Sequence, residues 1–292
     1  MKPVLVTGAT GKVGGTGRHL AQMLLERGAP VRAVVHKEDE RSQVLAKAGA
    51  EIVCADFLDE DAIRCAMEGV GVAYFCAPVF DVLLRATTVF ALCARDCGVE
   101  RIINLSQWGT KDPILSEATR LHRLGEMIFD WAGTPTSHLR PAMFMEQLVM
   151  VFSTGVRTKS TLVAPFNDER VNMIAAVDVS RVAAEIALDP KRHGPGPYEL
   201  TGPANFTLHD VASTLAAELG RPVKYVNVDP VAWKKGALEW MPPHLAGHLE
   251  KLYEKGRLGR LNYGPTPVVH AVTGKPPTTL KEFFREHRAP FA

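Results

Sequence analysis

Gly8, Gly11 and Gly14 recur every third residue directly after the apolar run Val4-Leu5-Val6. A helical pattern follows, with Val13, Gly17, Leu20 and Leu24 on one face. Strand, glycine turn and helix in that order suit a dinucleotide. The chain turns tightly, a ligand approaches the backbone, and the N–H groups that open the helix can hold a pyrophosphate. The spacing G-x-x-G-x-x-G is related to G-x-G-x-x-G but differs from it. Gly8, Thr10, Gly11, Lys12, Val13 and Gly14 are the candidate residues of this turn. A turn with no ligand is the alternative reading.

The second apolar run, Val31 to Val35, ends at His36-Lys37. In such a fold an acid at that place holds the ribose 2′-hydroxyl of NAD, whereas cations suit a 2′-phosphate. His36 and Lys37 therefore point to NADP(H), with Arg32 or Arg41 in support, while Glu38 and Asp39 keep NAD(H) open. Asp56 and Phe57, after the third run, are placed for an adenine, although Asp56 equally suits a turn that leads into a helix. Ala77, Pro78 and Ser106, at the ends of later strands, complete the expected cofactor contacts.

Hydride chemistry at a carbonyl commonly uses Tyr-x-x-x-Lys. None of Tyr74, Tyr198, Tyr225, Tyr253 or Tyr263 has a lysine four residues on, and Tyr253 has Arg257 there. That argues against a carbonyl reductase of the standard type. In the matching helix stand His122 and Glu126, one turn apart on one face, which could orient a substrate or relay a proton. A surface pair that merely stabilises the helix fits the same spacing. Gln107 and Trp108, at the carboxyl end of the fifth strand, and Met143 and Phe144 are the expected substrate contacts. Cys93 and Cys97 can share a helix face, but two thiols make a poor metal site, and no metal is expected.

These residues need elements to carry them. Strands are predicted at Val31–Val35, 51–55, 72–77, 101–106 and 136–140, each followed by a helical pattern or a proline stop. Helices are expected over 38–48, 59–68, 83–97 and 116–131. The alternation calls for an α/β, Rossmann-like, doubly wound parallel sheet, with a smaller C-terminal α/β lobe. The expected division is residues 1–141, with a return segment near 175–201, and 142–292. In the second part a helix is predicted over 143–152, a strand at 161–164 and capped helices opening at Thr207 and Thr279. The cleft between the parts is the expected ligand site.

The chain's 292 residues carry 34 basic and 32 acidic side chains, a balance of +2, and no basic block. That argues against a nucleic-acid or membrane-surface partner. No apolar stretch approaches the roughly 20 residues of a membrane span, and the apolar run after Lys2 is too short for a signal peptide. Five cysteines without paired spacing read as reduced thiols, so a cytoplasmic location is expected.

With these pieces assembled, the chain resembles the NmrA-like branch of the atypical short-chain dehydrogenase/reductase family. The resemblance rests on Thr7-Gly8-Ala9-Thr10-Gly11-Lys12-Val13-Gly14, on Val31-Arg32-Ala33-Val34-Val35, on Gly49-Ala50-Glu51-Ile52-Val53 with Asp56, and on Leu139-Arg140-Pro141. His122-x-x-x-Glu126 is similar to a pair in NmrA-like quinone and triphenylmethane dye reductases. Two features depart from the common pattern: Gly14-Gly15-Thr16-Gly17 lengthens the turn, and His36 stands where an arginine is usual. The resemblance implies NADP(H) binding and hydride transfer to quinones, dyes or similar conjugated acceptors, which need little acid catalysis. It equally admits a non-catalytic NADP(H)-sensing regulatory protein. A small-molecule substrate is the expected partner, and a homodimer is left open.

Overall fold

The computed structural model describes residues 1–11, 15–80, 82–110, 112–114 and 116–292. Its first part alternates strand and helix: β1 Val4–Thr7, α1 Thr16–Glu26, β2 Val31–Val35, α2 Glu40–Lys47, β3 Glu51–Cys54, α3 Glu60–Met67, β4 Val72–Phe75, α4 Leu83–Asp96, β5 Arg101–Leu105, α5 Glu117–Ala132 and β6 Thr136–Pro141. The punctuation read from the sequence is visible in the caps. Asp59 accepts the Ala62 N–H at 3.0 Å to open α3, and Ser116 accepts the Thr119 N–H at 3.2 Å to open α5. α2 starts two residues later than predicted because the Asp39 side chain caps it instead of lying inside it.

The second part runs β7 Met143–Phe144, α6 Glu146–Lys159, β8 Thr161–Ala164, β9 Val171–Ile174, α7 Ala176–Leu188, β10 Gly196–Leu200, β11 Asn205–Phe206, α8 Leu208–Leu219, β12 Lys224–Asn227, α9 Pro230–Ala237, α10 Pro243–Arg257, α11 Val268–Thr273 and α12 Leu280–Glu286. The capping boxes at Thr207 and Thr279 form as predicted, closed by Asp210 and Glu282. Met143 and Phe144 do not join the helix predicted over 143–152. They pair in parallel with Met173 and Ile174 of β9, and α6 begins only at Glu146.

The main sheet has the order β10-β6-β5-β4-β1-β2-β3, with parallel pairing throughout. Strand order reverses between β1 and β4, the switch point where such sheets bind ligands outside the strands' carboxyl ends. One face is covered by α1 and α7, whose Leu20, Leu24, Val179 and Val182 are fully buried against it. The other is covered by α3, α4 and α5 around Phe75, Phe90 and Phe129. A third apolar cluster, centred on Phe166, Tyr253, Phe283 and Phe284, fills the second lobe. No helix among the described residues is long and apolar enough to cross a membrane.

Glu146 joins the two lobes. Its Oε1 accepts the Ala176 N–H at 2.9 Å, while its buried Oε2 has no hydrogen-bond partner among the described residues. Burial pushes its carboxyl up to about 7, against the backbone N–H groups that hold its charge and with Asp178 and Glu286 adding to the rise.

Candidate functional site

The floor of the site is the turn after β1. Gly8 has φ +68°, and a Cβ there would lie 3.2 Å from both the backbone oxygen and the thiol of Cys76. At Gly17 a Cβ would lie only 2.5 Å from the Thr7 carbonyl oxygen, so α1 can dock onto the turn only without a side chain. Thr7 staples this point to β4: its hydroxyl donates to the carbonyls of Tyr74 and Cys76 and accepts the Cys76 N–H at 2.7 Å. The buried Tyr74 hydroxyl donates to Thr16 Oγ1 at 2.9 Å, and Ser180 of α7 donates to the Thr16 carbonyl at 2.9 Å. The first residue of α1 is thus fixed from both sides. No side chain caps α1 among the described residues. A helix N-terminus of this kind presents N–H groups and the positive end of the helix dipole, the elements an anion site uses. Gly8, Thr10 and Gly11 surround this point; Lys12, Val13 and Gly14 lie outside the described residues.

His36 and Lys37 emerge exposed at the end of β2. Beside them Arg41 bonds to the Thr10 carbonyl and to Asp39, tying α2 to the glycine turn. Asp39 is spent on this contact and on the Arg41 and Ser42 N–H groups, and the Arg41 guanidinium holds its carboxyl below the usual range. An acid expected to favour a ribose hydroxyl is therefore engaged elsewhere. Arg32 does not support the phosphate corner: it pairs with Glu51 at 2.8 Å and with the carbonyls of Ala66 and Glu68, at the opposite end of the sheet. Asp56 accepts the Leu58 N–H at 2.8 Å, a turn that leads into α3, and half-buried Phe57 packs edge-on to Phe75 at 6.0 Å. Ala77 and Pro78 follow β4 at the mouth of the same edge.

Beyond β5 two polar networks meet. Buried Glu126 receives Arg140 through Nε at 2.9 Å and Nη2 at 2.6 Å, and the Ser106 hydroxyl at 2.6 Å. Burial drives its carboxyl up, but the Arg140 and Ser106 hydrogen bonds outweigh it and hold the pKa below the ordinary value. His122 and Glu126 lie one turn apart on α5, close enough for the Glu126 charge to act on His122, with no hydrogen bond between them among the described residues. Ser106, expected at the cofactor, spends its hydroxyl proton on Glu126.

Near His122 lies a second network, closed by His248 from α10. His248 Nδ1 lies 2.8 Å from Ser116 Oγ, which lies 2.9 Å from Thr119 Oγ1; that hydroxyl donates to Gln107 Oε1 at 3.3 Å. Burial, with His248 nearby and Glu126 opposing, lowers His122 to about 4. Burial and the charge of Lys255 lower His248 to about 4 as well. Both imidazoles are neutral at pH 7. Trp108 stacks on Tyr263 at 4.5 Å, and Phe80 packs on His244 at 4.4 Å, so α10 and its following loop roof the edge of the sheet. Arg140, His248 and Tyr263 were not read as site residues, because their partners lie across the fold rather than along one helix.

Met143 and Phe144 do not form one wall. On a two-residue strand they point to opposite sides, Met143 into the second lobe's cluster and Phe144 against the main sheet's.

A model of the NmrA-like family matches residues 1–284. Among full-length relatives are an NAD(P)H azoreductase of Xenophilus azovorans, 26% identical over 99% of both chains. Another is a (4-alkanoyl-5-oxo-2,5-dihydrofuran-3-yl)methyl phosphate reductase of Streptomyces griseus, 28% identical over 99% of both. The fold is shared with Citrobacter sp. triphenylmethane reductase in complex with NADP(H), at TM-score 0.85, 22% identity and 97% and 99% coverage of the two chains. The chain belongs to the NmrA-like family.

Proposed function

We propose that the protein is an NADP(H)-dependent oxidoreductase that reduces a small conjugated acceptor of the quinone, dye or enone type. One observation carries the reading: a helix N-terminus with no side-chain cap among the described residues, at the sheet's switch point, docked so closely on the glycine turn after β1 that Gly17 has no room for a side chain. Gly8, Thr10, Gly11 and the α1 N-terminus would hold the pyrophosphate, and His36, Lys37 and Arg41 the 2′-phosphate. When bound, NADPH supplies a hydride. Full-length relatives named as NAD(P)H azoreductase and as a reductase of an unsaturated lactone phosphate support the reaction class.

The protein's own groups suit an acceptor that needs no strong acid. Glu126 is neutralised by Arg140, and His122 and His248 carry no extra proton at neutral pH. Their role is to orient a substrate through neutral hydrogen bonds, while solvent returns the proton. The test is NADPH oxidation by the full chain against a panel of quinones, triphenylmethane and azo dyes and enones, with Gly11→Asp as control. Turnover in the wild type that the carboxylate at position 11 abolishes is expected. A wild type no faster than the control with every acceptor overturns the proposal.

A further inference from the structure

One face of α10 lies over the loops that follow β4 and β5. His244, His248 and Lys255 share it at i, i+4 and i+11, against Phe80, Ser116 and Asp112 respectively. The three contacts differ in one respect. Lys255 is only 4% exposed, yet its nearest carboxylate oxygen, Asp112 Oδ1, is 3.9 Å away, beyond hydrogen-bond range. That carboxylate is shared: Arg260 lies 3.7 Å from its other oxygen, and Oδ1 already accepts the Ile114 N–H at 2.8 Å. Among the described residues no acceptor stands within hydrogen-bond distance of Lys255 Nζ. Two cations on one carboxylate leave the corner, among the described residues, with an excess positive charge. Burial lowers the pKa of Lys255 accordingly, with Asp112 opposing and Arg260 adding to the fall.

The Lys255 ammonium sits beside the expected substrate contacts. The position a Cβ would take on Gly109 lies 3.3 Å from Lys255 Nζ and 3.4 Å from the Tyr263 hydroxyl, so ammonium and hydroxyl converge beside one loop. The same loop carries Gln107 and Trp108, and Trp108 stacks on Tyr263.

We propose that the acceptor carries a fixed negative charge, a phosphate, sulfonate or carboxylate on its conjugated frame, and that Lys255 receives that anion with the Tyr263 hydroxyl beside it. The inference rests on the reading of this cleft as a reductase site. An anion there would fill donors that Asp112 leaves open, and its charge would be balanced by the cation that Asp112 shares with Arg260.

The test separates binding from turnover. Calorimetry on the full chain compares naphthalene-2-sulfonate with its neutral isostere naphthalene-2-sulfonamide, without NADPH, on wild type, Lys255→Gln and Lys255→Arg. The sulfonate is expected to bind wild type about tenfold or more tightly than the sulfonamide. Lys255→Gln should abolish that preference, Lys255→Arg should keep most of it, and inorganic phosphate should compete with the sulfonate. Equal affinity of wild type for the two probes, or a preference that survives Lys255→Gln, overturns the anion site. If Lys255→Gln does not fold, the wild-type preference, phosphate competition and Lys255→Arg decide the matter. Turnover is then measured with 1,4-naphthoquinone-2-sulfonate and 2-methyl-1,4-naphthoquinone. Reduction of both with no binding preference removes the anion site and keeps the reductase. Selective binding without any turnover keeps the anion site and removes the reductase.

Discussion

Glu126 of α5 and Arg140 of β6 form a two-pronged ion pair, 2.9 and 2.6 Å long, in which Ser106 fills a further position on the carboxylate. The helix that would carry Tyr-x-x-x-Lys in a standard short-chain dehydrogenase here carries a strut that ties itself to the sheet. Glu126→Gln leaves a buried guanidinium without its counter-charge, and unfolding in denaturant at pH 7 should show a loss of about 3 kcal/mol. The Glu126 pKa is lowered on folding, so its contribution is present above the ordinary carboxylate range and fades as pH falls through the lowered value. Wild type and variant should therefore converge only in acid. Equal stability at pH 7 would show that the pair is not a strut.

Glu146 has the opposite sign. Its carboxyl titrates at about 7 in the folded chain, above its ordinary value. Protonation favours the fold, so this contribution is complete below the ordinary carboxylate range and is lost as pH rises through 7. Glu146→Gln should match wild type near pH 5 and exceed it by roughly 2 kcal/mol at pH 8. Thermal melts at the two pH values check this; a gap that does not widen with pH would place the proton elsewhere.

At Gly17 a methyl group would meet the Thr7 carbonyl at 2.5 Å. Gly17→Ala must push α1 away from the turn, at a cost of about 2 kcal/mol. If the α1 N-terminus holds the pyrophosphate as proposed, NADPH affinity should fall together with stability. A variant that loses stability but keeps full NADPH affinity would separate the helix from the nucleotide.

Lys37→Ala and Arg41→Ala should each lower the preference for NADPH over NADH by about tenfold, since each removes a cation from the 2′-phosphate corner. Arg41→Ala should also weaken NADH, because the Arg41 bond to the Thr10 carbonyl steadies the turn for either nucleotide. Fluorescence titration with both nucleotides gives the ratios. A ratio that does not move removes that side chain from the corner.

Elements with punctuation were legible in the sequence: Thr207 and Thr279 each open a helix where their capping spacing predicted it, and the helices expected from 59 and 116 open with Asp59 and Ser116 as caps. The small sheet formed by β7, β9 and β11 was not, because strands of two to four residues show too little alternation to reveal a period. At the site, local contacts were readable and distant ones were not. The i, i+4 spacing of His122 and Glu126 was correct as helix geometry, but the partner of Glu126 comes from β6, and the network nearest His122 is closed by His248 from α10. Glu126 found a guanidinium 14 residues on, and the hydroxyl facing His248 is 132 residues away from it. Burial then decided the electrostatics, and burial follows from tertiary packing, which no single stretch encodes.

The β10 strand, which returns to the edge of the main sheet after the chain has entered the second lobe, has a mechanical consequence. The backbone crosses between the lobes after β6, after β9, after β10 and on both sides of α11. A body laced together at five seams has no single pivot.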